Sequence, residues 1–196
     1  MARQAERLEA TRGAIVRAAS ALFGRDGYAA TSVDEIAAAA GVAKGAIYHH
    51  FKSKARLFET VLEATTAQLA AEVAGRAGSA ADVWDSIAVA TEVYFELAAV
   101  GPAAQIVLKD GPAVLGWERW REIDAEHFGR AIPAILEAAM SAGLIAAQPI
   151  APLARLLLGA ATEAAAACAA SPDPVETGRA HAQAFRGLLE GLRLRP

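Results

Sequence analysis

From Leu8 the apolar positions Leu8, Ile15, Ala18, Ala19, Leu22 and Phe23 return at the spacing of one helix face, and Gly24-Arg25-Asp26-Gly27 ends the run. The opposite face carries Arg12 and Arg17. Ser32-Val33-Asp34-Glu35 then has the Ser-x-x-Glu form in which a serine hydroxyl accepts from a helix-initiating N–H while the glutamate reaches back. This predicts a short helix through Ile36 and Ala37 to Ala40, broken by Gly41-Val42. A second short helix is expected from Lys44 to Phe51, with Ile47 and Phe51 turned inward and Lys44, Tyr48 and His49 on other faces. After Lys52-Ser53-Lys54 a longer helix is expected on the stripe Leu57, Phe58, Val61, Leu62 and Leu69, fading between Gly75 and Gly78.

Further helices are expected at Ala81–Val100, Gly116–Gly143, Pro152–Ala170 and Pro174–Arg193, with a short one near Ala103–Leu108. Gly101-Pro102, Asp110-Gly111-Pro112, Gln148-Pro149 and Ser171-Pro172-Asp173-Pro174 separate them. Composition agrees: alanine and leucine abound, β-branched runs are few, and the fold class expected is all-α. The tract from Ala151 to Ala170 is apolar enough to suggest a membrane span, but it contains Arg155 and Glu163 and is mostly weakly hydrophobic alanine, so a buried helix is the better reading. The N-terminus opens on Arg3-Gln4-Ala5-Glu6-Arg7, without an apolar signal core, and a cytoplasmic protein is expected. Cys168, the single cysteine, excludes an intrachain disulfide and reads as an inert buried thiol, with redox sensing or an intersubunit disulfide as the alternatives.

Charge changes the picture. The whole chain carries a formal −3, which by itself argues against a nucleic-acid partner. Residues 1–56, however, hold nine Lys/Arg against five Asp/Glu, a net +4, leaving −7 for the remainder. A basic N-terminal quarter suits a DNA-contacting module, because phosphate attraction is local and screened beyond roughly 10 Å. Two short helices joined by a glycine turn, behind a supporting helix, match the helix-turn-helix, whose second helix enters the major groove.

The segments Phe23-Gly24-Arg25-Asp26-Gly27-Tyr28, Thr31-Ser32-Val33, Ile36-Ala37, Gly41 through Phe51 and Lys52-Ser53-Lys54 resemble the N-terminal signature of the tetracycline-repressor (TetR) family over about the first 60 residues. The resemblance implies an N-terminal three-helix helix-turn-helix domain (residues 1–57, the motif about 32–51) and a C-terminal helical ligand-binding and dimerisation domain (58–196). It implies phosphate contacts at Thr31 or Ser32, Tyr48, His49 or His50, and Lys54, and a groove-facing surface at Lys44, Gly45 and Ala46. Hydroxyls and an ammonium are the donors that fix register on phosphates, while small Gly45 and Ala46 let the backbone approach base edges. Lys44 suits a guanine edge or a phosphate equally. Asp34 stands where many relatives offer a neutral or basic residue; it either selects against some sequences or serves its helix N-terminus. A zinc site at His49-His50 is not supported, since adjacent helical side chains point about 100° apart and no further ligand lies at a useful offset.

Beyond the motif no nucleophile elbow, phosphate loop or Cys/His pair is present, so no catalysis, cofactor or metal is expected. Trp84, Tyr94, Phe95, Trp117, Trp120, His127 and Met140 concentrate aromatic and polar groups in the middle helices and are the candidates for lining a small-molecule effector pocket, with core packing the competing reading of each. His127, Arg121 and Glu163 are the polar candidates for orienting a ligand. In the last two helices Leu153, Leu156, Leu157, Gly159, Ala160 and Ala164, with Phe185, Leu188, Leu189 and Leu192, are expected to form a homodimer interface. The function expected is a ligand-responsive repressor that binds a palindromic double-stranded operator as a dimer, with an architectural or activator protein bearing the same head, or a helical enzyme or scaffold, as the competing classes.

Overall fold

The computed structural model describes residues 2–98, 100–129 and 131–194. Ala99 and Arg130, which fall inside two of the helices expected above, lie outside them. The described chain is all-α, its one β feature among the described residues being a bridge between Ile145 and Arg193 beside which the Leu194 N–H reaches the Leu144 carbonyl. In chain order the helices are α1 (Ala2–Asp26), α2 (Val33–Ala40), α3 (Lys44–His50), α4 (Lys54–Ala77), α5 (Val83–Ala98), α6 (Gly101–Ala103), a π-helical run (Ala104–Asp110), α7 (Gly111–Leu115), α8 (Trp117–Phe128), α9 (Ala131–Ser141), α10 (Ile150–Ala170) and α11 (Pro174–Glu190).

The head closes around Ile15, Phe23, Ile36, Ile47 and Phe58, all fully buried. Phe58 stacks edge-on against Phe23 and Tyr28 at centroid separations of 5.3 and 5.1 Å, so the first turns of α4 are part of the head core. That core continues through Leu62, Phe95, Ile106 and Trp120 into the body, without a break at residues 57 and 58. A second cluster, around Leu136, Ala139, Leu157 and Leu189, holds the far end of the body together.

Three differences from the sequence reading have local causes. The helix expected over Gly116–Gly143 is two, α8 and α9. Gly129 closes α8, and Pro133, early in α9, has no N–H to give to the Gly129 carbonyl. The short helix expected near Ala103–Leu108 lengthens into a continuous run from Gly101 to Leu115 whose middle winds as a π-helix. α1 begins at Ala2, well before its first apolar contact. By length and composition α10 is apolar enough to cross a membrane, yet Ala154, Leu157, Leu158, Thr162, Ala165, Cys168 and Ala169 form an inner face packed within the body.

Candidate nucleic-acid interface and interior cavity

The surface formed by α2 and α3 starts with the capping of α2. The Ser32 hydroxyl accepts from the Glu35 N–H at 3.2 Å, while the Ser32 N–H and hydroxyl both donate to Glu35 Oε2 at 2.7 Å. These bonds, the backbone one foremost, hold the Glu35 carboxyl below its ordinary range. Gly41 ends α2 at φ +68, a left-handed conformation that a side chain disfavours, and its N–H and that of Val42 satisfy the last α2 carbonyls. The turn thereby aims α3 across α2.

On α3, Ile47 is buried in the head core while Lys44, Gly45, Tyr48 and His49 are exposed, with Ala46 and His50 half-buried beside them. A methyl added at Gly45 would meet no atom within 4 Å, so nothing inside the protein requires a glycine there. The outer face of α3 is low, polar at its rim and free to approach another surface. Ser32 is exposed at the same edge.

Thr31 does not join this surface. It is 2% exposed and its hydroxyl donates to the Gly27 carbonyl at 2.8 Å, pinning the turn before α2, whereas Ser32 is exposed. Lys54 is half-buried, its ammonium 4.1 Å from the centroid of the Tyr28 ring, and burial lowers its pKa against the opposing pull of Asp110 and Glu35. Asp34, ambiguous in the sequence, reaches from α2 to Lys44 Nζ at 2.8 Å. Lys44 is therefore held by an internal carboxylate at the edge of the outer α3 face.

Two connections between head and body had no signal in the sequence. The Asp110 carboxylate, at the end of the π-helical run, accepts the Tyr28 backbone N–H at 2.7 Å and a Gln105 side-chain N–H at 3.0 Å. Gly27, at φ +81, lies against these two side chains where a Cβ would crowd Gln105. On the other side, Arg119 of α8 bridges to Glu59 at 2.7 Å and Glu63 at 2.9 Å on α4, and Glu59 also receives Arg56 at 2.6 Å. Burial raises the pKa of Glu59, but the bonds from Arg119 and Arg56 outweigh it and leave the carboxyl below its ordinary range.

Within the body, a cavity of about 130 Å3 lies among α4, α5, the end of α8, α9, α10 and α11, walled by Ile87, Tyr94, Phe95, Phe128, Leu158 and Phe185 among others. Of the seven candidate pocket residues, Tyr94 and Phe95 face it. The rest are placed elsewhere. The Trp84 indole N–H donates to Glu190 at 2.7 Å; Trp117 is exposed and lies against Trp120 at 5.0 Å; Trp120 is buried against Gly111; Met140 packs with the second cluster; His127 is half-buried in the last turn of α8. Arg121 lies 3.5 Å from Asp124, and Glu163 is exposed on α10. Among the described residues no group of three or more His, Cys, Asp or Glu is placed to hold a metal ion.

Asp124 is almost fully buried behind Tyr94, taking a 3.3 Å bond from Thr162. Desolvation raises its pKa, with Arg121 and Thr162 opposing. A carboxyl whose folded pKa is raised contributes stability that is present below its unfolded pKa and is lost as pH rises through the folded one. Asp124→Asn is accordingly expected to raise stability by about 1 kcal/mol at pH 7, with the gain vanishing towards pH 4. Thermal melts of both proteins across that range check the sign; a less stable variant at pH 7 would mean that the ion pair outweighs desolvation.

The chain matches the family model described as "Bacterial regulatory proteins, tetR family" over residues 15–61 and the model described as "Tetracyclin repressor-like, C-terminal domain" over residues 84–192. The chain belongs to the TetR family. It is thus a DNA-binding transcriptional regulator and not an enzyme. A TetR-family transcriptional regulator of Pectobacterium atrosepticum has a similar structure, with a TM-score of 0.87 at 29% identity over 97% of this chain and 98% of that one. The transposon Tn10 TetC protein of Escherichia coli is 28% identical over 133 residues, 68% of this chain and 67% of TetC. The HTH-type transcriptional regulator AcrR of Shigella flexneri is 51% identical over 53 residues, which are 27% of this chain and 25% of AcrR.

For a TetR-family head, the Asp34–Lys44 pair has a measurable consequence. Asp34→Asn removes a negative charge from the reading face and frees the Lys44 ammonium. Affinity for specific and non-specific duplexes alike is expected to rise roughly threefold to tenfold, read in fluorescence-anisotropy titrations. A loss of affinity would instead make Asp34 the residue that positions Lys44 for its contact.

Proposed function

We propose that this TetR-family protein is a homodimeric repressor that binds a palindromic operator and releases it when a small molecule occupies the body. The observation that carries the reading is the α3 surface: its inner side is locked by Ile47, and its outer side presents Lys44, Gly45, Tyr48 and His49 with half-buried Ala46 beside them, Lys44 being held by Asp34. Gly45 and Ala46 face base edges, Lys44 and the histidines flank them, and Ser32, Tyr48 and Lys54 set register on phosphates. Residues 1–57 act as the reader and residues 58–196 as the regulator, within the cytoplasm.

Dimerisation is supported by the last two helices. Leu157 and Leu189 are used internally, but Leu156, Ala160, Glu163 and Ala167 of α10 and Ala180, Ala184, Gly187 and Leu188 of α11 form exposed stripes; Leu156 is 71% exposed. Small residues among exposed leucines suit close packing against a symmetry mate, and two heads on a two-fold axis read two half-sites.

Ligand control is supported by the cavity and by what surrounds it. A ligand among α5, α9, α10 and α11 presses on Phe95 and Val73, and so on α4, whose first turns belong to the head. The Asp110 bond to Tyr28 and the Arg119 bridges to α4 carry a displacement of the body into the head. A coupling of about 1–3 kcal/mol corresponds to roughly 5–150-fold weaker operator binding. The test is to select duplexes from a random pool with the full-length protein, then titrate the winner. Enrichment of an inverted repeat bound by two protomers supports the reading; enrichment of a single half-site bound by a monomer overturns it.

A further inference from the structure

The chemistry of the cavity walls narrows what can bind there, an argument that rests on the cavity being the effector site. Its lining is mainly aliphatic and aromatic, and among the described residues no Lys, Arg, His, Asp or Glu contributes to it. Two polar side chains reach it, and both are committed. The Thr91 hydroxyl donates to the Ile87 carbonyl of its own helix at 2.8 Å. Tyr94 presents its ring, while its hydroxyl sits beside Thr162 and Asp124. Thr162 in turn donates to the Leu158 carbonyl at 2.7 Å and contacts Asp124 at 3.3 Å. A charged or strongly hydrogen-bonding ligand would lose its hydration and gain no partner.

The neighbouring groove between α8, α9 and α10 shares Ile132 and Leu158 with the cavity and is the place where a ligand headgroup would emerge. Its charges among the described residues are of both signs: Arg121 is engaged by Asp124 and lies over the Trp117 ring, and Arg155, Glu118 and Glu122 line the same groove. Size adds a second limit, since an apolar cavity of ~150 Å3 lined by the same residue types accommodates benzene.

We infer that the cavity takes a small uncharged hydrocarbon or aromatic molecule, of about one six-membered ring, and discriminates against its anionic and cationic analogues. The probes are toluene, benzoate, benzylammonium and hexanoate, each added to the full-length protein in a thermal melt. Toluene at saturation is expected to raise Tm by roughly 2–5 °C, and each charged probe by less than about 0.5 °C. Ala161→Leu, which fills the cavity from α10, removes the toluene shift; Ala90→Leu does the same from α5 if the first variant does not fold. Charged probes that match toluene, or a toluene shift absent from the wild type, would overturn the inference. Operator titrations on the same samples separate it from the effector reading: a toluene shift with unchanged operator affinity upholds the ligand class and refutes ligand control through this cavity.

Discussion

Alanine at position 58 is expected to cost about 3–5 kcal/mol of stability, the range for deleting a buried phenylalanine, and to lower Tm by roughly 6–20 °C. Phe58 is fully buried, and its ring is the point where α1, the turn at Tyr28 and α4 meet. The void left behind is bounded by Phe23, itself fully buried, and by the Tyr28 ring, over which the Lys54 ammonium lies. Neither can collapse inward without dragging α1 or the Asp110 bond to the Tyr28 backbone. Chemical denaturation with both circular dichroism and tryptophan fluorescence checks this. All three tryptophans are in the body, so coincident transitions with a lowered midpoint show that head and body unfold together through the continuous core. A head that melts alone would show Phe58 to stabilise the reader only.

Gly45→Glu is expected to leave Tm within about 1 °C of the wild type and to weaken operator binding at least about 100-fold, a loss of about 2.7 kcal/mol. The argument has two parts. No atom lies within 4 Å of a Cβ at this position, and a carboxylate in the first turn of α3 is favourable to the helix, so folding is unharmed. On the DNA side, the same substitution places bulk and a negative charge between the helix backbone and the base edges. Gly45→Ala is the control for bulk alone and is expected to give a smaller loss. Wild-type affinity in Gly45→Glu would remove α3 from the reading role.

How much of this was legible in the sequence depends on the range of the contacts involved. The helix-turn-helix was legible because its determinants are local: the Ser32–Glu35 box spans three residues, Gly41 sits at the helix end where its left-handed conformation is needed, and Ile47 and Phe51 face inward four residues apart. The all-α class was legible for the same reason. The Asp110 bond to Tyr28 spans 82 residues and the Arg119 bridge to Glu59 spans 60, and neither pair stands out in a linear pattern of charges. The π-helical winding of Ala104–Asp110 has no periodicity distinct from an ordinary helix over seven residues. Aromatic density singled out the middle helices as candidates for a pocket lining but could not rank their members. A tryptophan on an exposed turn, such as Trp117, and one in the core, such as Trp120, sit three residues apart with the same helical spacing. The different burial of Thr31 and Ser32 needed the backbone, because only the fold shows which hydroxyl the Gly27 carbonyl takes up.

The central claim is that the exposed face of α3, presented twice by a dimer, reads a specific duplex. The most direct measurement is titration of the selected duplex and of a scrambled one, with the wild type and with Gly45→Glu, at two salt concentrations. The account predicts that the wild type prefers the selected duplex, at roughly 10³-fold or more, that both affinities fall as salt rises, and that Gly45→Glu erases the preference. Equal affinity of the wild type for both duplexes, or a preference that survives in Gly45→Glu, would contradict it.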